Sequence, residues 1–222
     1  MKREFGKIFF GAMVLALALF VSGTGIGQTE QKDTKPTSGS AAGEPKAPEP
    51  DLEKSIKKAF PDFDNKPKAE AVFADDLSDK TLAQKCEYET GKGCQAYPVK
   101  KKGALIGFAI VWTTGKGFHG PIKLMLGITP EGEIAGMDIL SNSETPQLGG
   151  KIGGDEFQRQ FLKKSLTNAK WMLEKDGGDI RAISGASYSS GAVTGAVKEI
   201  LEFYQKAKED LKKKATASKK PN

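Results

Sequence analysis

Imidazole and thiol chemistry are scarce in this chain, which has one histidine, His119, and two cysteines, Cys86 and Cys94. A protein-held metal site of the Cys/His kind is excluded, since no second cysteine pair and no second histidine exist. The spacing of the cysteines is wider than the Cys-x-x-Cys of dithiol redox motifs. In an oxidising compartment the two can pair across a small loop, and a structural disulfide is expected, with free thiols as the alternative. A serine triad is excluded on similar grounds. The stretch Gly185-Ala-Ser-Tyr-Ser189 lacks the second glycine of a nucleophile elbow, and no carboxylate near His119 in sequence orients it. No internal repeat is present. The excess of positive charge is small, 34 Lys and Arg against 28 Asp and Glu, and it gathers mainly at Lys212, Lys213, Lys214, Lys219 and Lys220. That pattern reads as a solvated basic tail over 212–222 and excludes a nucleic-acid groove.

What the chain does contain falls into a clear order. Lys2, Arg3 and Lys7 precede an uncharged apolar run from Ile8 to Val21 that meets no charge before Gly27. About 20 such residues at about 1.5 Å each can cross a hydrocarbon core of about 30 Å. The small residues after Val21 also resemble a signal-peptidase site. Residues 1–27 are therefore expected to be a membrane anchor or an export signal, with the positive residues cytoplasmic and the rest outside. The glycines at 23–27 close this segment and follow no strand, so they are not a nucleotide fingerprint. Residues 28–50 are rich in Lys, Ser, Gly, Ala, Glu and Pro and read as a flexible linker. Residues 51–93 form an N-terminal helix and cysteine region, the helix marked by Leu52, Ile56 and Phe60 ahead of Pro61.

The main domain is expected over 94–211. Residues 104–113 are dense in strand formers, and Ile122, Leu124, Leu126 and Ile128 alternate with Lys123, Met125 and Gly127. A turn at 129–132 leads into a further strand over 133–140. Two glycine-bearing loops interrupt the pattern, at 114–121 and at 141–150. Phe157, Phe161 and Leu166 predict a helix, residues 180–183 a strand, and Val193, Val197, Ile200, Leu201 and Tyr204 a strong helix beginning near Ser190. Between these last two elements Ser184, Ser187, Ser189 and Ser190 crowd around Gly185 and Ala186. Small residues ahead of a helix N-terminus suit a phosphate, while the plainer alternative is a serine-rich cap. The fold class that follows is α+β: a mainly antiparallel sheet flanked by helices, in a single domain behind the N-terminal anchor, with functional loops converging at its surface.

Four motifs carry a family resemblance over roughly residues 94–204: Gly117-Phe-His-Gly-Pro-Ile122, Gly132-Glu-Ile-Ala-Gly136, Ser143-Glu-Thr-Pro-Gln-Leu-Gly-Gly-Lys-Ile152 and Ile183-Ser-Gly-Ala-Ser-Tyr-Ser-Ser190. Their order and spacing resemble the FMN-binding G subunits of Rnf electron-transport complexes. They are similar, more distantly, to the C subunit of the sodium-pumping NADH:quinone reductase. The resemblance implies covalent FMN, attached by a flavin transferase as a phosphoester on Ser187. It places Ser184, Gly185, Ala186 and Ser190 around the phosphate. Glu144, Thr145, Leu148 and Gly149 become a second wall, and Phe118 or His119 a ring contact from the remaining loop. Lys151 is a candidate for balancing charge. No catalytic residue is implied in this chain, which would be an electron carrier and not a turnover enzyme. Its partners would be the other membrane subunits of an Rnf-like ferredoxin:NAD⁺ complex coupled to ion transport, at a cell membrane with the globular part extracytoplasmic. The alternatives are a flavinylated domain of another extracytoplasmic electron-transfer system and a binding module that has lost the flavin. The sequence departs from the family pattern at Gln147, where Gly is usual, at Ser187, where Thr is commoner, and at Arg181, where the transferase motif usually has Asp.

Overall fold

Alternating apolar residues in successive short strands build the centre of this protein, a five-stranded antiparallel sheet in the order β1-β2-β3-β4-β5. The computed structural model describes residues 51–82 and 94–217. The expected anchor or signal and the flexible linker lie outside those residues, as do Cys86 and the end of the basic tail. The strands are β1 (Val72–Phe73), β2 (Gln95–Lys101), β3 (Ala104–Thr114), β4 (Ile122–Ile128) and β5 (Ile134–Ser141), and the helices α1 (Leu52–Ala59), α2 (Asp155–Arg159) and α3 (Ser187–Ala217). The α+β architecture with an antiparallel sheet and flanking helices is as the sequence predicts. Among the described residues no helix is long and apolar enough to cross a membrane.

Helix α3 covers one face of the sheet. Its Val193, Val197, Ile200, Leu201 and Tyr204 are buried against Phe108, Trp112, Leu124 and Leu126. Rings interlock across the layer, Phe108 with Tyr204 and Trp112 with Phe203, each pair with centroids 6.0 Å apart. The helix is longer than the apolar pattern indicated. Leu211 and Ala215 are buried too, so the core reaches into the region read as basic tail.

Helix α1 covers part of the other face. Asp51 caps it, accepting the Glu53 N–H at 3.1 Å and the Lys54 N–H at 3.4 Å, and Pro61 stops it. Ile56, Ala59 and Phe60 settle on β3, β4 and β5, where Gly107, Gly127 and Gly136 leave them room. A Cβ on Gly136 would stand 2.7 Å from Ala59 Cα. Ser55 Oγ and Lys58 Nζ donate to the Asp138 carboxylate of β5, at 2.6 and 2.8 Å. Gly136→Val is therefore expected to push α1 off the sheet and cost about 1–3 kcal/mol, read as a lower urea midpoint.

Three elements differ from the sequence expectation. Strand β2 pairs with β3 through seven residues, from Gln95↔Val111 to Lys101↔Ala104. The expected strand at 180–183 is reduced to one parallel bridge, Leu173↔Ile180, because the Arg181 N–H goes to Gln160 Oε1 and the Ile183 N–H to Ser190 Oγ. The helix expected through Phe157, Phe161 and Leu166 ends at Arg159. There the chain turns through Lys163, whose φ is 61°, and residues 163 and 164 bond to the backbone of Ile134.

Candidate functional site

Antiparallel pairing brings two loops to one edge of the sheet. Thr114↔Ile122 closes the loop at 115–121, and Lys123↔Ser141 places the start of the 142–150 loop beside it. The N-terminus of α3 arrives at the same edge. Its entry is a turn over 183–186 in which the Ala186 N–H donates to Ile183 O at 2.9 Å and Gly185 has φ +75°. That backbone angle favours glycine. The first helical hydrogen bond is Ser190 N–H to Ala186 O at 3.0 Å, so the helix begins at Ser187, three residues ahead of the sequence expectation. The N–H groups of this opening turn face out of the helix end.

Glu144 ties the three segments together. Its side chain is only 2% exposed. Oε2 accepts the Ser189 hydroxyl at 2.7 Å and Oε1 accepts the His119 N–H at 3.2 Å. Two glycines make space for the carboxylate: a Cβ on Gly149 would lie 2.4 Å from Oε2, and one on Gly117 2.8 Å from Oε1. The loop carrying Glu144 is itself tightly turned, with Thr145 O accepting from the Leu148 and Gly150 N–H groups at 3.0 and 2.9 Å around Pro146.

Burial opposes ionisation of Glu144, but the bond from Ser189, those from the His119 and Phe118 backbone, and the charge of His119 hold its carboxyl below the ordinary value of 4.5. The unfolded chain therefore binds the more protons in this range, and the carboxylate's contribution to stability is complete above the ordinary value. It declines as pH falls below that value and is gone beneath the folded one. Thermal melts of wild type and Glu144→Gln across this acidic range should converge as pH drops.

The expected site residues divide by position. Ser184, Gly185, Thr145, His119 and Phe118 are exposed, Ser187 is half-buried, and Ala186 and Gly149 are buried. Phe118 is 64% exposed and Leu148 46%. Leu148 stands over the turn, its Cδ2 3.2 Å from where a Cβ on Gly185 would be. Ser190 is buried and its hydroxyl is spent on the turn, accepting the Ile183 N–H at 3.0 Å and donating to Ala186 O at 2.9 Å. Ser189, read from sequence only as a helix cap, is the Glu144 partner. Tyr188, which sequence reasoning passed over, stands exposed beside Phe118. An aromatic residue inside a serine cluster was the available signal for it.

A cleft of about 530 Å³ adjoins the turn, with Lys151, Gln160, Arg181 and Ser184 among its lining residues. Arg181 is exposed, its Nε 3.6 Å from Glu174 Oε2. Asp179 does not stand in for an acidic residue at position 181, since its carboxylate accepts the Lys170 N–H at 2.8 Å. Cys94 is buried and is not a free thiol, while Cys86 lies outside the described residues. Among the described residues no group of three or more His, Cys, Asp or Glu could hold a metal ion.

Two glycine loops and a helix N-terminus thus meet at one end of an antiparallel α+β domain, and residues 117–202 match the FMN-binding domain family. The G subunit of the ion-translocating oxidoreductase complex of Shewanella baltica is 32% identical over 145 residues, 60% of this chain and 68% of that protein. The G subunit of the Na⁺-translocating ferredoxin:NAD⁺ oxidoreductase complex of Acetobacterium woodii is 31% identical over 114 residues, 50% of this chain and 55% of that protein. Among solved structures, the C subunit of the Na⁺-translocating NADH-quinone reductase of Parabacteroides distasonis is similar with a TM-score of 0.46 and 20% identity, covering 57% of this chain and 67% of that one. NqrC of Shewanella oneidensis gives a TM-score of 0.47 and 21% identity over 55% of this chain and 62% of its own. The chain belongs to the family of G subunits of ion-translocating oxidoreductase complexes, the Rnf type, with an FMN-binding domain.

Proposed function

We propose that the protein is a membrane-anchored, extracytoplasmic flavoprotein that holds FMN as a phosphoester on Ser187 and relays electrons within an Rnf-type ion-translocating ferredoxin:NAD⁺ oxidoreductase complex. The observation that carries this reading is the setting of Ser187. It is the half-buried first residue of α3, behind a turn whose Gly185 leaves the approach open, in a domain matched to FMN-binding proteins.

The residues present fit the group. Amides at the start of α3 face a phosphate esterified to Ser187, and the helix dipole favours its negative charge. Of the four clustered hydroxyls, those of Ser189 and Ser190 are consumed by Glu144 and the turn backbone, which leaves Ser184 and Ser187 available. Leu148 stands over the Gly185 turn and Phe118 against Tyr188, both exposed, and Glu144 keeps their loops in register with the helix. When bound, FMN supplies the electron-transfer chemistry. Attachment would join Ser187 Oγ to the FMN phosphorus of FAD, with the pyrophosphate bond broken, AMP released and the hydroxyl proton lost. A separate flavin transferase performs that step. Ester attachment also retains the flavin outside the cell.

The test is co-expression of the full chain with and without a flavin transferase, followed by intact mass under denaturing conditions. The reading predicts an FMN-sized increment and a yellow protein only when the transferase is present. A colourless chain of unmodified mass under both conditions favours a binding module without flavin and defeats the proposal.

A further inference from the structure

We infer that Tyr188 and Phe118 form an aromatic corner that docks the ring system of the flavin, with Tyr188 a cofactor-contacting residue. The inference rests on the flavin reading above. Most large rings of this fold are buried, Trp112, Phe108, Phe161 and Tyr204 among them, whereas Tyr188 is 65% exposed and Phe118 nearly as much. Their rings meet edge-on, with centroids 5.8 Å apart and planes at 71°. Phe118 in turn meets His119 at 4.7 Å and 89°. Two rings near a right angle leave open faces on both sides of a corner, an arrangement suited to a flat ligand edge. Exposed large apolar side chains that converge mark a binding surface.

The position of this corner relates it to Ser187. Ser187 and Tyr188 are successive residues of the first turn of α3, pointing about 100° apart round its axis, so a ligand held at Ser187 has the exposed Tyr188 ring one residue away, within the reach of a long cofactor. Leu148 stands over the Gly185 turn just ahead of them. Glu144 fixes both halves of the corner at once. Through the His119 N–H at 3.2 Å it holds the loop that carries Phe118, and through the Ser189 hydroxyl at 2.7 Å it holds the residue next to Tyr188. An exposed pair on separate segments is thus anchored by one buried carboxylate, which gives a preformed surface. The cleft lined by Arg181, Gln160 and Ser184 is the competing berth.

The flavin's own emission reports which berth is used, because a phenol in contact with the ring system quenches it by electron transfer to the excited flavin. Full chain would be flavinylated as wild type, Tyr188→Ala, Tyr188→Phe and Arg181→Ala, the FMN increment checked by intact mass, and emission decays recorded in the native state. Wild type should show mainly a short-lived component. Tyr188→Ala should lower the ratio of short-lived to free-flavin-like amplitude by about two- to tenfold, the range an aromatic pair contributes. Tyr188→Phe, which keeps a ring at the helix start, should lengthen the short component while leaving the flavin absorption envelope as in wild type. Arg181→Ala should decay as wild type. Full flavin mass with an unchanged decay in Tyr188→Ala, or a loss of the short component in Arg181→Ala alone, overturns the inference and leaves the covalent reading intact. Absence of the FMN mass from wild type removes the covalent reading, and this inference with it.

Discussion

Glu144→Ala should lower the unfolding free energy by about 3 kcal/mol, because it leaves the Ser189 hydroxyl and the His119 N–H without an acceptor, each orphan costing about 1–3 kcal/mol. The loss is greater than for an ordinary surface glutamate, since this side chain is almost fully enclosed and two glycines are shaped around it. Glu144→Gln separates hydrogen bonding from charge. Its amide oxygen can face the His119 N–H while the Ser189 hydroxyl rotates to accept from the amide nitrogen, so its cost should be near 1 kcal/mol. Urea denaturation gives these values. Amide exchange at His119 reports the local effect: it should accelerate strongly in the alanine variant and little in the glutamine variant. Equal destabilisation by both substitutions would mean that charge, and not the set of accepted bonds, secures the three segments.

Ser187→Ala should abolish the FMN increment completely in protein co-expressed with a flavin transferase. The effect is all-or-none because the alternatives are poor nucleophile positions. Ser189 and Ser190 are buried and bonded, and Ser184 lies in the turn, on the other side of Gly185 from the helix amides that face a phosphate. Ser184→Ala should keep the increment. Ser187→Thr should keep it too, since a threonine hydroxyl occupies the same position and a β-branched residue is tolerated at the start of a helix. None of these three substitutions removes a core contact, so circular dichroism should show intact folds throughout. Retention of the increment in Ser187→Ala would move the attachment elsewhere in the chain.

Local periodicity was enough to reveal α1, β3, β4, β5 and α3, because each buries one face and its apolar residues repeat accordingly. Strand β2 hid from the same reasoning. It carries Pro98, Lys100 and Lys101, and Pro98 is tolerated where the short β1 no longer pairs with it. Asn65 takes over beyond β1, donating to Pro98 O at 2.9 Å and accepting the Lys100 N–H at 2.9 Å, while the Lys100 ammonium is neutralised by Glu70. Such compensation comes from residues far away in sequence. The same applies to the site. The glycine loops and the small-residue turn ahead of α3 were legible as local motifs, but the Ser189–Glu144 bond spans 45 positions and the Tyr188–Phe118 contact joins two segments, so neither follows from local pattern. The strand expected at 180–183 failed for a related reason. Its β-branched composition is real, yet its N–H groups are claimed by side chains of Gln160 and Ser190.

The central claim, that Ser187 carries the flavin, is tested most directly on wild-type protein co-expressed with a flavin transferase. Trypsin cleaves after Arg181 and Lys198, so one peptide, residues 182–198, contains all four clustered serines. Tandem mass spectrometry of that peptide should find FMN on Ser187, with Ser184, Ser189 and Ser190 unmodified. A flavin on any other residue, or an unmodified peptide from yellow protein, would contradict the account.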